Sequence, residues 1–115
     1  MKSRREILLY KDYFKLFYAP LSAGVRNKIK YVLKVLQEEE NVPVRFFKHV
    51  EGVKGLYEIR VEYESNIYRI FCCLDDGRIV VLFNGFQKKS QKTPLKEIEL
   101  ATRIMKEYFK GKKGK

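Results

Sequence analysis

With 115 residues, 45% of them hydrophobic, the chain has enough apolar side chain to bury the core of one domain, and a second domain is not expected. Its 25 Lys and Arg against 14 Asp and Glu leave a formal charge of +11, which makes nucleic acid the natural polyanionic partner. One histidine and two adjacent cysteines exclude a spaced zinc-ligand set, so no metal and no cofactor is expected.

The first apolar run, Ile7 to Tyr10, is far too short for a signal-peptide core or a membrane span, and a cytoplasmic protein with no membrane partner is expected. That run, entered from Glu6, predicts a short strand. Asp12 is placed to cap a brief helix over Tyr13–Tyr18, which Pro20 stops. Ser22 caps a longer helix whose Val25, Ile29, Val32, Leu33 and Leu36 make one buried stripe, while Arg26, Lys28, Lys30 and Lys34 make a solvated face. Three glutamates and Asn41-Val42-Pro43 end it, and Val44–Val50 reads as extended, with Lys48 and His49 at its end.

Three strand-like runs follow: LYEIRVEY, NIYRIFCCL and RIVVLFNGF. Tyr57, Ile59, Val61 and Tyr63 alternate with more polar residues, so Arg60 points away from the core. Tyr68, Ile70, Cys72 and Leu74 share the core face of the second run, which leaves Arg69 on the opposite side of a hydrophobic strand. Cys72 and Cys73 leave opposite faces and read as reduced packing residues, because a mutual disulfide would need distorted geometry. Ile79–Phe83 is apolar on both faces and reads as a central strand. Tyr63-Glu64-Ser65-Asn66 and Asp75-Asp76-Gly77 mark the turns of an antiparallel meander. Thr93-Pro94 opens a last helix as N-cap and N1, with a buried stripe of Leu95, Ile98, Thr102, Met105 and Phe109.

These elements specify an α+β layer fold, an N-terminal strand and helical hairpin packed on an antiparallel sheet with a three-strand meander, plus a C-terminal helix. Residues 1–109 form the domain, and 110–115 a basic disordered tail. Two arginines on adjacent strands, followed by Lys88, Lys89, Lys92 and Lys96 after the third, make a phosphate site the first chemistry to test.

Taken together, LYEIR, YRI and GFQKK at this spacing, with IVVLFNGFQKKSQKTP and a last helix containing EIELA, resemble the RelE/ParE toxin superfamily of bacterial toxin–antitoxin systems. The resemblance is strongest to its HigB-like, often phage-associated branch and covers nearly the whole chain. It implies a RelE-like fold and a small ribonuclease that cuts messenger RNA, usually on the ribosome. It also implies a cognate antitoxin, expected to be a small helix-turn-helix protein. Arg69 matches the arginine with which RelE-type toxins hold the scissile phosphate. Arg60 falls where RelE has a basic residue, and Lys88 or Lys89 where it has an arginine. Glu58 departs from a RelE lysine, and the catalytic tyrosine near the RelE C-terminus has no counterpart, since Tyr108 lies on the apolar side of a helix.

Metal-independent RNA cleavage by an adjacent 2′-hydroxyl needs a base, an acid and fixed positive charge. Arg69 and Arg60 suit the charge, because guanidinium groups bond two phosphate oxygens at once. Glu58 and His49 are both candidates for the base: the carboxylate lies two residues from Arg60, and imidazole titrates near neutrality as a side-chain type. Glu58 pairing with Arg60 across the sheet surface is the competing reading. Lys89 could stabilise the leaving oxygen. Lys48, Lys88 and Lys92 would neutralise flanking phosphates, and Phe86 could stack on a base. Two other functions share these features: a ParE-like gyrase poison without nuclease chemistry, and a noncatalytic RNA-binding protein.

Overall fold

The computed structural model describes residues 4–89 and 92–113. In chain order they form β1 (Glu6–Leu9), α1 (Tyr13–Tyr18), α2 (Ala23–Glu38), β2 (Phe47–His49), β3 (Leu56–Tyr63), β4 (Asn66–Asp75), β5 (Ile79–Lys88) and α3 (Leu95–Lys113). The α+β architecture expected from the sequence is present, and it is compatible with a RelE-like fold. One five-stranded sheet runs β1-β5-β4-β3-β2. It is mixed rather than antiparallel: β1 lies parallel to β5, with Glu6 opposite Ile79 and Leu9 opposite Leu82. Only strands joined by hairpins are obliged to alternate in direction, and β1 meets β5 through tertiary packing.

Both faces of the sheet are covered. On one face α1 and α2 bury Phe14, Val25, Ile29, Val32 and Leu36 against Ile59, Val61, Ile70, Val80 and Leu82. On the other face α3 buries Ala101, Ile104, Met105 and Tyr108 against Leu56, Phe71, Cys73, Val81 and Phe83. The buried stripe of α3 is thus rotated from the expected one, and Leu95 is 67% exposed. Two features outweigh apolar periodicity there: Ala101 is small enough to let the helix approach the sheet, and the Tyr108 hydroxyl has a polar partner beneath it.

That partner is Asp75, at the end of β4. Tyr108 Oη donates to Asp75 Oδ2 at 2.6 Å, and Lys112 Nζ donates to the same oxygen. The expected disordered tail from Lys110 is therefore corrected: α3 runs on to Lys113 because Asp75 holds its last turn, while Gly114 and Lys115 lie outside the described residues. The bonds from Lys112 and Tyr108 hold the Asp75 carboxyl below its ordinary value of 3.8. A carboxyl depressed in the folded state contributes stability above its unfolded pKa and loses it as pH falls through the folded value. Asp75→Ala should lower stability by about 1–3 kcal/mol at neutral pH, the cost of an orphaned buried donor. In acid, below the ordinary carboxyl range, the gap between parent and variant should close, which urea titration at pH 7 and in acid would measure.

Smaller departures have local causes. Asp12 sits at the N-cap of α1 without a side-chain cap bond, whereas Ser22 does cap α2, accepting from the Val25 N–H at 3.4 Å. The extended reading of Val44–Val50 shrinks to Phe47–His49, since the N–H groups of Phe46 and Phe47 turn back to the Pro43 carbonyl. β5 runs past Phe83 to Lys88, with an irregular register between Ile70 and Cys72 of β4. Gly85 makes this extension possible: the Phe17 ring of α1 lies so close that a Cβ there would come to 2.6 Å from its Cδ2. Cys72 and Cys73 are free and buried on opposite faces, and burial pushes the Cys73 thiol up to about 12. No helix among the described residues is long and apolar enough to cross a membrane.

Candidate functional site

Strand register decides which charges meet. Arg60 of β3 is the direct cross-strand partner of Arg69 of β4, and Glu58 lies diagonally from Arg69, opposite Phe71. Two like charges directly opposite each other are destabilising, so this pair needs a counter-ion within reach. Glu58 supplies it. Its Oε2 lies 3.2 Å from Arg60 Nε and 3.5 Å from Arg69 Nε. Neither Nε–H has hydrogen-bond geometry toward that oxygen, so both are buried donors held by charge alone. Arg69 also donates from Nη1 to the Tyr68 carbonyl at 3.2 Å.

Burial places Arg69 differently from the sequence expectation. It was expected on the side of the strand away from the core, yet it is 4% exposed and paired. The face opposite Ile70 and Cys72 is a second core under α3, so a strand residue there is buried as well. Burial, followed by the charge of Arg60, pulls the Arg69 guanidinium below its ordinary value, and Glu58 and Glu62 oppose that shift. Two cations share one near carboxylate, which leaves an excess of positive charge in a poorly solvated place.

Above this cluster opens a cleft of about 330 Å³, walled by Lys48 and His49 of β2, Glu58 and Arg60 of β3, Lys88 of β5, and Lys92, Thr93 and Ile98 leading into α3. The antiparallel pairing of β2 with β3 sets Lys48 opposite Glu58. His49 stands on the rim with its ring edge-on to Tyr57 at 5.2 Å. Lys88 closes the far wall, and burial, then the charge of Arg69, hold its ammonium below the ordinary lysine value. Arg69 itself is not on the wall. It lies beside Arg60 and Glu58, within the sheet.

Two expected site residues go elsewhere. Phe86 stacks on Phe71, with ring centroids 5.8 Å apart and planes at 25°, and packs against the α3-side core. The extension of β5 carries it inward, where it is partly buried rather than free in the cleft. Lys89 is exposed, one residue past β5, and does not wall the cleft, whereas Lys88 does. Tyr108 is committed to Asp75 at the end of β4, away from the arginines. The sequence reading missed Asn84. This buried amide donates to the Glu97 carbonyl at 3.4 Å and to Glu97 Oε1 at 3.3 Å, tying the start of α3 to β5 beside the cleft. A polar residue in the apolar run VVLFN was the available signal. Among the described residues no three His, Cys, Asp or Glu side chains gather as a metal site.

A family model described as phage-derived protein Gp49-like (DUF891) matches residues 17–106, a span from α1 through most of α3 that contains the whole cluster. No curated protein matches the chain. The matched span is well over half of the sequence, and the chain therefore belongs to the Gp49-like phage-derived family, a RelE/ParE-like toxin family of toxin–antitoxin systems.

Proposed function

We propose that the protein is a toxin of the HigB-like branch that cleaves messenger RNA, on the ribosome, without a metal ion, and that an antitoxin silences it. One observation carries this reading: the Nε atoms of Arg60 and Arg69 lie 3.2 and 3.5 Å from one oxygen, Glu58 Oε2, and both Nε–H donors are without an acceptor. A phosphate oxygen within reach of both would find two fixed guanidinium groups with unused donors, which is how charge growing in a transition state is stabilised. Arg60, on the wall, meets the phosphate first, and Arg69 reinforces it from within as Glu58 gives way.

In the reaction the ribose 2′-oxygen attacks the adjacent phosphorus, the bond to the 5′-oxygen breaks, and the products are a 2′,3′-cyclic phosphate and a 5′-hydroxyl. The 2′-proton must be taken up and one delivered to the leaving oxygen. Glu58 and His49 both wall the cleft and are the two candidates for the base. Lys88 is the acid, since its depressed pKa makes it a readier proton donor than an ordinary lysine. Lys48 and Lys92 neutralise flanking phosphates, which makes binding salt-dependent.

The test is induction of the protein in a bacterial host while mapping 5′ ends of cellular RNA, followed by cleavage of ribosome-bound messenger RNA by the purified protein with and without a chelator, the ribosomes being kept at their required magnesium. Growth arrest, new ends bearing 5′-hydroxyls, and cleavage that survives chelation are expected. Unaltered messenger RNA after high expression of soluble protein would remove the nuclease reading and leave the gyrase-type one.

A further inference from the structure

Resting on the RNA reading above, we infer that a second pocket holds an unpaired nucleotide of the same RNA strand, beside the one whose phosphate meets Arg60. This pocket of about 370 Å³ is lined by Lys28, Tyr31, Arg45, Phe46, Arg60 and Glu62. Arg60 walls both this pocket and the cleft, so the two are neighbours across one side chain. A strand leaving the cleft past Arg60 enters it.

The chemistry of the pocket fits a nucleotide. Tyr31 is 52% exposed, next to the buried Val32 of α2, so its ring is not required for the core. It meets Phe46 edge-to-face at 6.2 Å and 81°, and the two rings form a corner on which a base can stack. Lys28, three residues earlier on the same helical face, puts its ammonium 5.4 Å from the Tyr31 ring centre. Arg45 puts its guanidinium 4.8 Å from that of Phe46. Lys28 therefore belongs to a basic and aromatic ledge rather than to the solvated helix face read from the sequence. Lys28, Arg45 and Arg60 face a single acid, Glu62, whose charge would steer the phosphates toward the Lys28 side.

The experiment measures dissociation constants for two RNAs blocked by a 2′-deoxy sugar at the scissile position. One is a dinucleotide that fills only the cleft, and the other a hexanucleotide with the blocked step at its centre. Tyr31→Ala should weaken the hexanucleotide about tenfold and leave the dinucleotide unchanged, the scale of one lost base stack. Tyr31→Phe should stay within about twofold of the parent, because stacking needs only the ring face. The pair Lys28→Ala with Arg45→Ala should weaken the hexanucleotide and flatten its salt dependence. If Tyr31→Ala binds the hexanucleotide like the parent, or weakens both RNAs equally, the pocket is not a nucleotide site, while the cleft reading stands. If the parent binds neither RNA, the cleft reading and this one fall together.

Discussion

Arg60→Ala is expected to lower the single-turnover cleavage rate about 10²–10³-fold, the loss seen when one preorganised donor is removed from a developing oxyanion. The variant should remain folded, since Arg60 is the more exposed of the two arginines and its removal relieves repulsion of Arg69, which keeps Glu58. Arg69 needs a different substitution. Truncation to alanine would also delete a buried aliphatic stem, at about 2 kcal/mol for the methylenes. Arg69→Met keeps most of that volume, and should lose activity on the scale of Arg60→Ala while unfolding near the parental temperature. Arg60→Lys should recover little, because an ammonium cannot take the place of a planar fork. Near-parental cleavage by Arg60→Ala, measured beside its melting temperature, would sink the assignment of this cluster to the scissile phosphate.

Glu58→Ala should have the largest effect on stability of any single change at the site. It leaves Arg60 and Arg69 opposite each other, one of them 5% exposed at its side chain, with no near counter-ion. Breaking a buried ion pair from one side costs about 3–5 kcal/mol, and the partial exposure of Arg60 puts this case at the low end, about 3 kcal/mol. An anion that takes the vacated point should restore much of it. Inorganic phosphate should therefore raise the melting temperature of Glu58→Ala more than that of the parent, by mass action on the folded state. Adding Arg60→Ala to Glu58→Ala should also recover stability, because it removes the repulsion rather than the charge balance. A variant as stable as the parent, with no extra response to phosphate, would show that Glu58 is not the counter-ion of the pair.

Much of this protein was legible as local pattern. The three meander strands, the turn at Asp76-Gly77 and the helix capped by Ser22 each depend on residues close in sequence. Periodicity and turn chemistry are local properties and can be read locally. The pairing of Arg60 with Arg69, and of both with Glu58, is a matter of register between strands, and no count along one strand contains it. The depth of Arg69 depended on α3 covering the face that alternation alone made look solvated. The place of Phe86 was open for a related reason: an aromatic after Asn-Gly could leave the sheet or continue it, and the Phe17 ring packed on Gly85 favours that it continues. The last turn of α3 shows the same limit. A run of lysines and glycines has nothing to pack by itself, and Asp75, 37 residues earlier, is what orders Lys112. The sequence by itself determined the elements, the excess of cations and the residues from which a phosphate site could be built. Only the tertiary structure decided which cations share a counter-ion, which are buried and which wall the cleft, because those follow from contacts between residues that are distant in the chain.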